Sequence, residues 1–338
     1  MATILVTGAG GYIGSIASQL FLAQGHTVVG VDAFLTGYKG PLEMLKSQYP
    51  DTFMWHAVHI ADTPAMKQLL DASPPIDVVV HYAASCVVKE SMRQPEKYFE
   101  NNAHASLRLL ELMRVRGIRN IVFSSTCAVY GAVHYHPIDE HHPISPTNPY
   151  GDSKRMVEQM IQWYTRVHGL SAFVMRYFNV YGTSDDQKLG YAKKPCTHLV
   201  DAAVQGALGL HEFRLTCGSS FDTPDGTPIR DYLHVVDLNE AHVLAVKALL
   251  KSNKPQYEVI NLGTGSGNTV LEMVELVEAE TGTKLPRDVG EVREGEDAVL
   301  VADNKKAYQL LGWKPKRTIR ASIPAMIEWY KNHPHGWE

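Results

Sequence analysis

A tyrosine and a lysine four residues apart are the first residues in this chain whose types and spacing could do chemistry. Tyr150 and Lys154 lie in the segment Tyr-Gly-Asp-Ser-Lys, and a helix there would place both side chains on one face. A nearby ammonium stabilises a phenolate and lowers the pKa of a tyrosine toward neutral pH. The pair predicts an acid–base that takes a proton from a hydroxyl, although the same spacing also occurs by chance as a surface pair.

Three consecutive hydroxyl residues, Ser124, Ser125 and Thr126, follow an apolar segment and end 24 residues before Tyr150. The carboxyl ends of strands in a parallel sheet are where ligands bind. A hydroxyl at such an end could bridge a substrate oxygen and the tyrosine, so we predict Thr126 as the third catalytic residue. The alternative is a polar residue that only caps the strand.

A glycine-rich segment, Thr-Gly-Ala-Gly-Gly-Tyr-Ile-Gly, lies at residues 7–14 between the first predicted strand and the first predicted helix. Glycine lets the backbone approach a pyrophosphate closely, and the helix N-terminus offers N–H groups to that anion. Asp32 follows the second strand, 18 residues after Gly14, where a carboxylate binds a ribose diol and repels a 2′-phosphate. The pattern predicts NAD rather than NADP; a strand–helix connector and a turn aspartate are the alternatives.

The elements that must position these residues alternate between apolar strands and amphipathic helices. Strands are predicted at residues 4–7, 28–31, 78–81, 121–124 and 173–176, and helices at residues 13–24, 103–116 and 153–168. This alternation predicts an α/β fold, a Rossmann-type doubly wound parallel sheet with a smaller C-terminal substrate-binding lobe. We place the NAD-binding domain at residues 1–182, with some later segments returning to it, and the lobe at residues 183–338.

Composition restricts the class of protein and its partners. The formal net charge of -4 gives no basic footprint, so nucleic acid is not an expected partner. The four cysteines contain no Cys-x-x-Cys pair, which argues against a zinc site and a disulfide framework and favours a cytoplasmic location. No signal peptide and no apolar run of the ~18 to 20 residues that a membrane span needs are visible.

The glycine spacing G-x-x-G-x-x-G, together with Tyr150 and Lys154, resembles the extended short-chain dehydrogenase/reductase family. Sugar-nucleotide 4,6-dehydratases of this family carry an Asp-Glu pair after the catalytic hydroxyl residue. This chain has Cys127 and Ala128 there, so a dehydratase is disfavoured.

The second half of the chain resembles the UDP-glucose 4-epimerase group of that family at residues 176–179, 197–199, 225–235, 261–263 and 311–313. The resemblance implies an isomerase that inverts C4 of a UDP-hexose (UDP-galactose or UDP-glucose) with NAD through a transient 4-keto sugar. Epimerases of UDP-glucuronate, a UDP-pentose or a UDP-N-acetylhexosamine remain alternatives, as does a non-catalytic dinucleotide sensor. The family also implies a homodimer through the helices at residues 103–116 and 153–168.

The resemblance implies two sets of binding residues besides the three catalytic residues, of which Tyr150 and Thr126 would contact both ligands and Lys154 would contact NAD. The expected NAD site comprises Gly8, Gly11, Tyr12, Ile13, Gly14, Asp32, Phe34, Thr36, Ile60, Tyr82, Ala83, Ala84, Asn101 and Phe178. The expected UDP-sugar site comprises Asn179, His198, Leu199, Cys217, Arg230, Tyr232, Arg293, Glu296 and Leu300. Arg230 and Arg293 suit a diphosphate because guanidinium binds phosphate oxygens bidentately, although either could form a structural ion pair. No metal site is expected.

Several residues depart from the better-known members of this group. His59 replaces an aspartate that faces the adenine, Cys86 replaces a lysine, and Cys217 replaces an aromatic ring beside the uracil. Leu300 stands at the position whose bulk limits the space around C2 of the sugar, and Glu296 replaces an aspartate. These departures concern the identity of the hexose more than the reaction.

Overall fold

The computed structural model describes residues 1–290 and 297–337 of the chain. Arg293 and Glu296 lie outside the described residues. Contacts divide the chain into two compact units. The first comprises Met1–Gly131, Ile144–Arg176 and Asn239–Ile260, and the second comprises Ala132–Pro143, Tyr177–Leu238 and the chain from Asn261 onward.

The strands are β1 Thr3–Thr7, β2 Thr27–Asp32, β3 Phe53–Ala57, β4 Val78–His81, β5 Asn120–Thr126, β6 Ser171–Tyr177, β7 Asn179–Tyr181, β8 Leu215–Gly218, β9 Ile229–Arg230, β10 Tyr232–His234, β11 Tyr257–Leu262, β12 Asn268–Thr269, β13 Arg287–Gly290 and β14 Val299–Leu300. The α-helices are α1 Tyr12–Ala23, α2 Gly40–Gln48, α3 Thr63–Ala72, α4 Val88–Ser91, α5 Pro95–Tyr98, α6 Ala105–Arg116, α7 Pro149–His168, α8 Leu199–Ala207, α9 Val235–Lys251, α10 Val270–Thr281, α11 Lys305–Leu311 and α12 Ile319–Asn332. A π-helix, Phe99–His104, precedes α6, and a 3₁₀-helix, Cys127–Val129, follows β5.

Seven strands form one sheet in the order β11-β6-β5-β4-β1-β2-β3. The pairs β1–β2, β1–β4, β2–β3 and β4–β5 run parallel. The strand order reverses at β1, where sheets of this kind open a crevice at their carboxyl edge. The predicted doubly wound Rossmann-type α/β fold is therefore confirmed, and the glycine segment, Asp32 and Thr126 all lie at strand ends on that edge.

The strands of this sheet are apolar on both sides because helices cover both faces. Leu5, Val29 and Val79 are fully buried and pack with Leu109 of α6 and Ile161 of α7 in one core. This packing holds α7 against the strands, and α7 carries the predicted acid–base pair.

The second unit has a separate core formed by three helices. Val200 and Val204 of α8, Met273 of α10, and Met326 and Trp329 of α12 are buried together. The described part of this unit also contains small two-stranded and three-stranded sheets, with the strand orders β10-β7, β13-β8 and β12-β9-β14.

Helix α7 begins at Pro149, four residues before the predicted start, because the Asn148 side chain accepts a hydrogen bond from Gly151 N and caps the helix. Its apolar residues at helical spacing do not all face the core. Trp163 and Val167 are 61% and 65% exposed, whereas the face with Lys154 and Ile161 is buried. Within the described residues, no helix is long and apolar enough to cross a membrane.

Candidate active site

The glycine segment forms a tight turn between β1 and α1. Gly8 has a positive φ of +71°, and a Cβ there would lie 2.8 Å from the backbone nitrogen of Ala83. A Cβ on Gly14 would collide with the carbonyl oxygen of Gly8. Only glycine fits this path, which brings the first turn of α1 against the end of β1. The first turn of α1 contains no acidic side chain that would repel an anion. Such a turn suits the pyrophosphate of a dinucleotide.

Asp32 ends β2 beside this turn. Its Oδ2 accepts a hydrogen bond from Gly10 N at 2.9 Å, and its Oδ1 accepts one from Phe34 N at 2.7 Å. Burial raises the pKa of the Asp32 carboxyl, and the backbone N–H donors oppose that shift. The donors fix the orientation of the carboxylate, whose remaining lone pairs are suited to a ribose diol.

A cavity opens at this edge of the sheet in the first unit. Nine of the residues predicted for NAD line it: Gly8, Gly11, Asp32, Thr36, Ile60, Tyr82, Ala83, Ala84 and Asn101. His59, which stands at the position expected to face the adenine, also lines the cavity, and five further lining residues were not predicted from the sequence: Val31, Ala33, Leu35, Gly37 and Val58. The glycine turn, the carboxylate and the apolar walls together fit a nicotinamide dinucleotide.

The remaining predicted NAD residues are not among those that line this cavity. Tyr12, Ile13 and Gly14 belong to the first turn of α1, and the Ile13 carbonyl accepts a hydrogen bond from the Asn239 side chain. The Phe34 ring packs edge-on against Trp55. Phe178 belongs to the second unit.

His59 lines the cavity and contacts Asn101, a residue 42 positions away in the chain. Its Nδ1 accepts a hydrogen bond from Ala61 N, so its Nε2 carries the proton and donates to Asn101 Oδ1 at 3.0 Å. Asn101 in turn donates to Ser85 Oγ. His59 therefore orients an amide that the sequence analysis assigned to the cofactor.

The three predicted catalytic residues come from β5 and α7 in the first unit. Thr126 is the last residue of β5, and its Oγ1 accepts a hydrogen bond from Ala128 N at the start of the 3₁₀-helix. Thr126 is thus a cap, but its hydroxyl proton is still available to a ligand. Tyr150 lies in the first turn of α7 with its ring edge-on to Tyr98, and Lys154 follows one turn later.

Lys154 is a buried ammonium, 3% exposed, whose Nζ donates to the Ser124 carbonyl oxygen at 2.8 Å. Burial lowers the pKa of Lys154 to about 8, although the nearby Cys86 and Glu158 oppose that shift. The helical spacing therefore does bring the lysine back to the end of the strand that carries Thr126.

Glu158 was not identified from the sequence. It lies one helical turn after Lys154, fully buried, and accepts hydrogen bonds from Ser125 Oγ at 2.6 Å and from two guanidinium nitrogens of Arg176 at 2.9 and 2.6 Å. The group joins α7 to the ends of β5 and β6. Its sequence signal is that Tyr150, Lys154 and Glu158 recur every four residues on one face.

His242 of α9 is a second residue that the sequence analysis missed. Its Nε2 lies 3.2 Å from Ser124 Oγ, and its ring lies 5.0 Å from the ring of Tyr82. The Tyr82 hydroxyl donates to Asn239. These contacts connect a cavity residue to the strand end that receives Lys154.

The second unit brings together four of the residues predicted for the UDP-sugar. Asn179 of β7 pairs with Tyr232 of β10, and Arg230 of β9 pairs with Leu300 of β14. Nη1 of Arg230 donates to the carbonyls of Ile229 and Asp297, both at 2.9 Å, which fixes the direction of its guanidinium.

Asp231, between Arg230 and Tyr232, is a buried anchor for which the sequence predicted no role. Its carboxylate accepts hydrogen bonds from the backbone nitrogens of Thr264, Gly265 and Ala302. These bonds hold the end of β9 and the start of β10, and with them the side chains on both sides.

The other described residues of this set lie on α8 and β8. Leu199 is the first residue of α8, and His198 precedes it as the N-cap residue. Cys217 belongs to β8 and packs against the core of the unit. Burial raises the pKa of the Tyr232 hydroxyl, and the charge of Arg230 opposes that shift.

Comparisons with known proteins agree over nearly the whole chain. Residues 4–263 match the model of the NAD dependent epimerase/dehydratase family. The chain is 37% identical to the UDP-glucose 4-epimerase of Streptococcus mutans, over 99% of this chain and 98% of that protein. A crystal structure of a UDP-glucose 4-epimerase superposes with a TM-score of 0.93 at 35% identity, over 99% of each chain.

The structure of UDP-glucose 4-epimerase from Bifidobacterium longum in complex with NAD⁺ and UDP is also similar. It has a TM-score of 0.91 at 33% identity and covers 99% of each chain. The chain therefore belongs to the NAD dependent epimerase/dehydratase family.

Proposed function

We propose that this chain is a UDP-glucose 4-epimerase that interconverts UDP-galactose and UDP-glucose through a transient 4-keto sugar. The observation that carries the proposal is the position of Lys154, whose buried ammonium lies one helical turn after Tyr150 and donates to the strand end that carries Thr126. The full-length similarity to UDP-glucose 4-epimerases supports the same reaction.

NAD, when bound, would supply the acceptor for the hydride from C4 of the sugar and, once reduced, the donor that restores it. Within this proposal, the glycine turn holds its pyrophosphate and Asp32 binds the adenosine ribose. A carboxylate at that point repels a 2′-phosphate, which favours NAD over NADP. Besides the cavity residues, we assign Tyr12, Ile13, Gly14, Phe34 and Phe178 to this site.

The acid–base step belongs to the chain's own residues. Tyr150, as a phenolate, removes the proton of the 4′-hydroxyl, and Lys154 stabilises the phenolate charge. Thr126 accepts from Ala128 N, so its hydroxyl donates to the sugar oxygen. Tyr150 returns the proton when the keto sugar is reduced from its other face.

The nucleotide must be held tightly while the keto sugar turns over. We assign this grip to Arg230 and Arg293 on the diphosphate, with Asn179, His198, Leu199, Cys217, Tyr232, Glu296 and Leu300 around the rest of the UDP-sugar. The predicted division of labour, with NAD held mainly by residues 1–182 and the UDP-sugar mainly by residues 183–338, is part of this proposal.

A direct assay tests the reaction. Purified protein incubated with UDP-galactose, without added NAD, is expected to produce UDP-glucose and to accumulate no NADH, because the hydride is borrowed and returned. Stoichiometric NADH formation from UDP-glucose would instead identify a dehydrogenase. Parallel incubations with UDP-glucuronate, a UDP-pentose and UDP-N-acetylglucosamine distinguish the other epimerases.

We also infer a cytoplasmic homodimer that pairs the helices α6 and α7 of two copies. The support is an apolar surface on these helices, to which Leu107, Val115, Met156, Trp163 and Val167 each contribute an exposed side chain. Burial of such side chains against a second copy removes them from water. The cytoplasmic location has its support in the cysteine spacing, and cell fractionation tests it.

A further inference from the structure

Asp201, in the first turn of α8, is a buried carboxyl group with an incomplete set of partners. Its Oδ1 accepts a hydrogen bond from the Tyr330 hydroxyl of α12 at 2.8 Å. Its Oδ2 has no hydrogen-bond partner among the residues that the structure describes. Nδ1 of His198 lies 4.0 Å from that oxygen, beyond hydrogen-bond distance.

His198 connects this carboxyl group to the predicted nucleotide site. It is the N-cap residue of α8, its ring packs on Tyr191 with centroids 4.4 Å apart, and a third of its side chain is exposed. The imidazole therefore has a buried neighbour in Asp201 and an accessible part that a ligand can approach.

A charge is unfavourable on the Asp201 carboxyl alone or on the His198 imidazole alone. Burial raises the pKa of Asp201 to about 7 and lowers the pKa of His198 to about 4, and the charge of Lys193 acts on His198 in the same direction. The other titratable groups facing Asp201 are Tyr191, Tyr330 and the thiol of Cys196, all neutral at pH 7 because burial raises their pKa. Between about pH 4 and pH 7 the pair therefore holds one proton, which lies on Asp201, and it loses that proton as the pH rises through 7.

We propose that Asp201 is a positioning residue that supplies a buried counter-charge to His198 when the diphosphate of a nucleotide binds beside the imidazole. The proton of Asp201 moves from Oδ2 to Nδ1 of His198, and the resulting imidazolium faces the bound anion. A displacement of about 1.2 Å converts the 4.0 Å separation into a hydrogen bond of about 2.8 Å. The inference rests on the proposed function only in placing the nucleotide next to His198.

The proton moves because the bound anion and the Asp201 carboxylate together stabilise the imidazolium form of His198. Neither negative charge alone would be sufficient to stabilise it at this buried site. Opposite charges attract strongly in a poorly solvated environment, whereas a single unpaired charge there is costly. Below pH 7 the proton only moves within the pair. Above pH 7 the pair has lost its proton, and nucleotide binding must take one up from solvent.

Titration calorimetry with UDP-glucose on the NAD-loaded protein tests this proton uptake. The diphosphate of UDP-glucose is a diester without the phosphomonoester pKa of about 6, so the ligand charge stays constant. Above pH 7, heats in buffers of different ionisation enthalpy should show uptake of up to one proton. The affinity should fall up to about tenfold for each unit of pH, the limit for one linked proton.

Asp201→Asn and His198→Gln should each bind more weakly and lose both the uptake and this part of the pH dependence. Asp288→Asn, which removes an exposed carboxylate of the same unit, should keep the wild-type behaviour. NMR of His198 in the wild type should show the imidazolium only with UDP-glucose bound, which provides a readout independent of variant folding.

The outcomes separate this inference from the proposed function. Binding of UDP-glucose without proton uptake, or an unchanged pH dependence in Asp201→Asn, overturns the role of Asp201 while leaving the epimerase intact. Failure to convert UDP-galactose despite linked proton uptake overturns the epimerase alone, and absence of binding overturns both.

Discussion

The acid–base assignment depends on a single oxygen, the phenolic oxygen of Tyr150. Tyr150→Phe keeps the ring and its edge-on packing with Tyr98 but deletes the hydroxyl group that we propose transfers the proton. General acid–base catalysis contributes roughly 10²- to 10⁴-fold, so kcat should fall by that factor. Turnover of UDP-galactose by the NAD-loaded variant measures the loss, and near-normal turnover with bound NAD would mean that another residue is the base.

Lys154 gives the reaction a predictable upper pH limit. Its pKa is lowered to about 8, so the ammonium that we propose stabilises the Tyr150 phenolate is lost as the pH rises through 8. We expect kcat at saturating UDP-galactose to decrease above pH 8 in the wild type. Lys154→Arg stays charged at every pH tested, so its kcat should be lower throughout but should lack this decrease.

The pH profile of the arginine variant has a matched control in Lys97→Arg. Lys97 is an exposed lysine that forms an ion pair with Glu90, and its replacement should keep the wild-type profile. A decrease above pH 8 that persists unchanged in Lys154→Arg would show that another group sets it.

Leu300 bears on the range of sugars. Leucine is smaller than tyrosine, so the space beside C2 of the sugar should admit an N-acetyl group without favouring it. We expect measurable turnover of UDP-N-acetylglucosamine, with a lower kcat/KM than for UDP-glucose. The ratio of kcat/KM for UDP-N-acetylglucosamine to kcat/KM for UDP-glucose should fall further in Leu300→Tyr. If the ratio is the same in both proteins, Leu300 does not limit the sugar pocket.

At the scale of elements, α7 is fastened to the sheet by the buried ion pair between Glu158 and Arg176. Glu158→Gln removes the negative charge and leaves the guanidinium uncompensated in the interior. Breaking a buried pair in this way costs about 3–5 kcal/mol, so the free energy of unfolding should decrease by that amount in denaturant titrations.

An exposed pair provides the comparison for this loss. Glu111→Gln breaks the surface ion pair with Arg114 on α6 and should cost less than about 1 kcal/mol. Equal losses in the two variants would contradict the structural role assigned to Glu158.

The elements themselves could be predicted to different degrees. The helix of residues 153–168 follows from local periodicity, and the structure contains it as part of α7. The same periodicity did not indicate which face is buried, because Trp163 and Val167 are exposed while Glu158 is fully buried. Burial depends on the strands and helices that surround an element, which its own sequence does not specify.

At the scale of the whole molecule, the apolar surface of α6 and α7 predicts the oligomeric state. Trp163→Glu places a charge at a 61% exposed position of this surface and should dissociate the proposed homodimer, because a buried unpaired charge is costly. Sedimentation velocity should show a dimer for the wild type and a monomer for the variant. Leu250→Glu on α9, also partly exposed, should remain dimeric; a monomeric wild type would contradict the inference.

The sequence by itself determined the features that depend on neighbouring residues. The glycine turn, the Asp32 strand end and the spacing of Tyr150 and Lys154 are local patterns, and the alternation of strands and helices follows from local periodicity. These patterns were sufficient for the Rossmann-type sheet and for Gly8, Gly11 and Asp32 of its cavity, whereas the family resemblance supplied the other six predicted lining residues.

Only the tertiary structure decided the charge states of these residues and the long-range contacts that hold them in place. The lowered pKa of Lys154 results from burial. Arg176, which neutralises Glu158 of α7, comes from strand β6. Asp201 meets Tyr330 across 129 positions of the chain. Desolvation and long-range pairing depend on which elements pack together, and that information is distributed over the whole chain rather than contained in any motif.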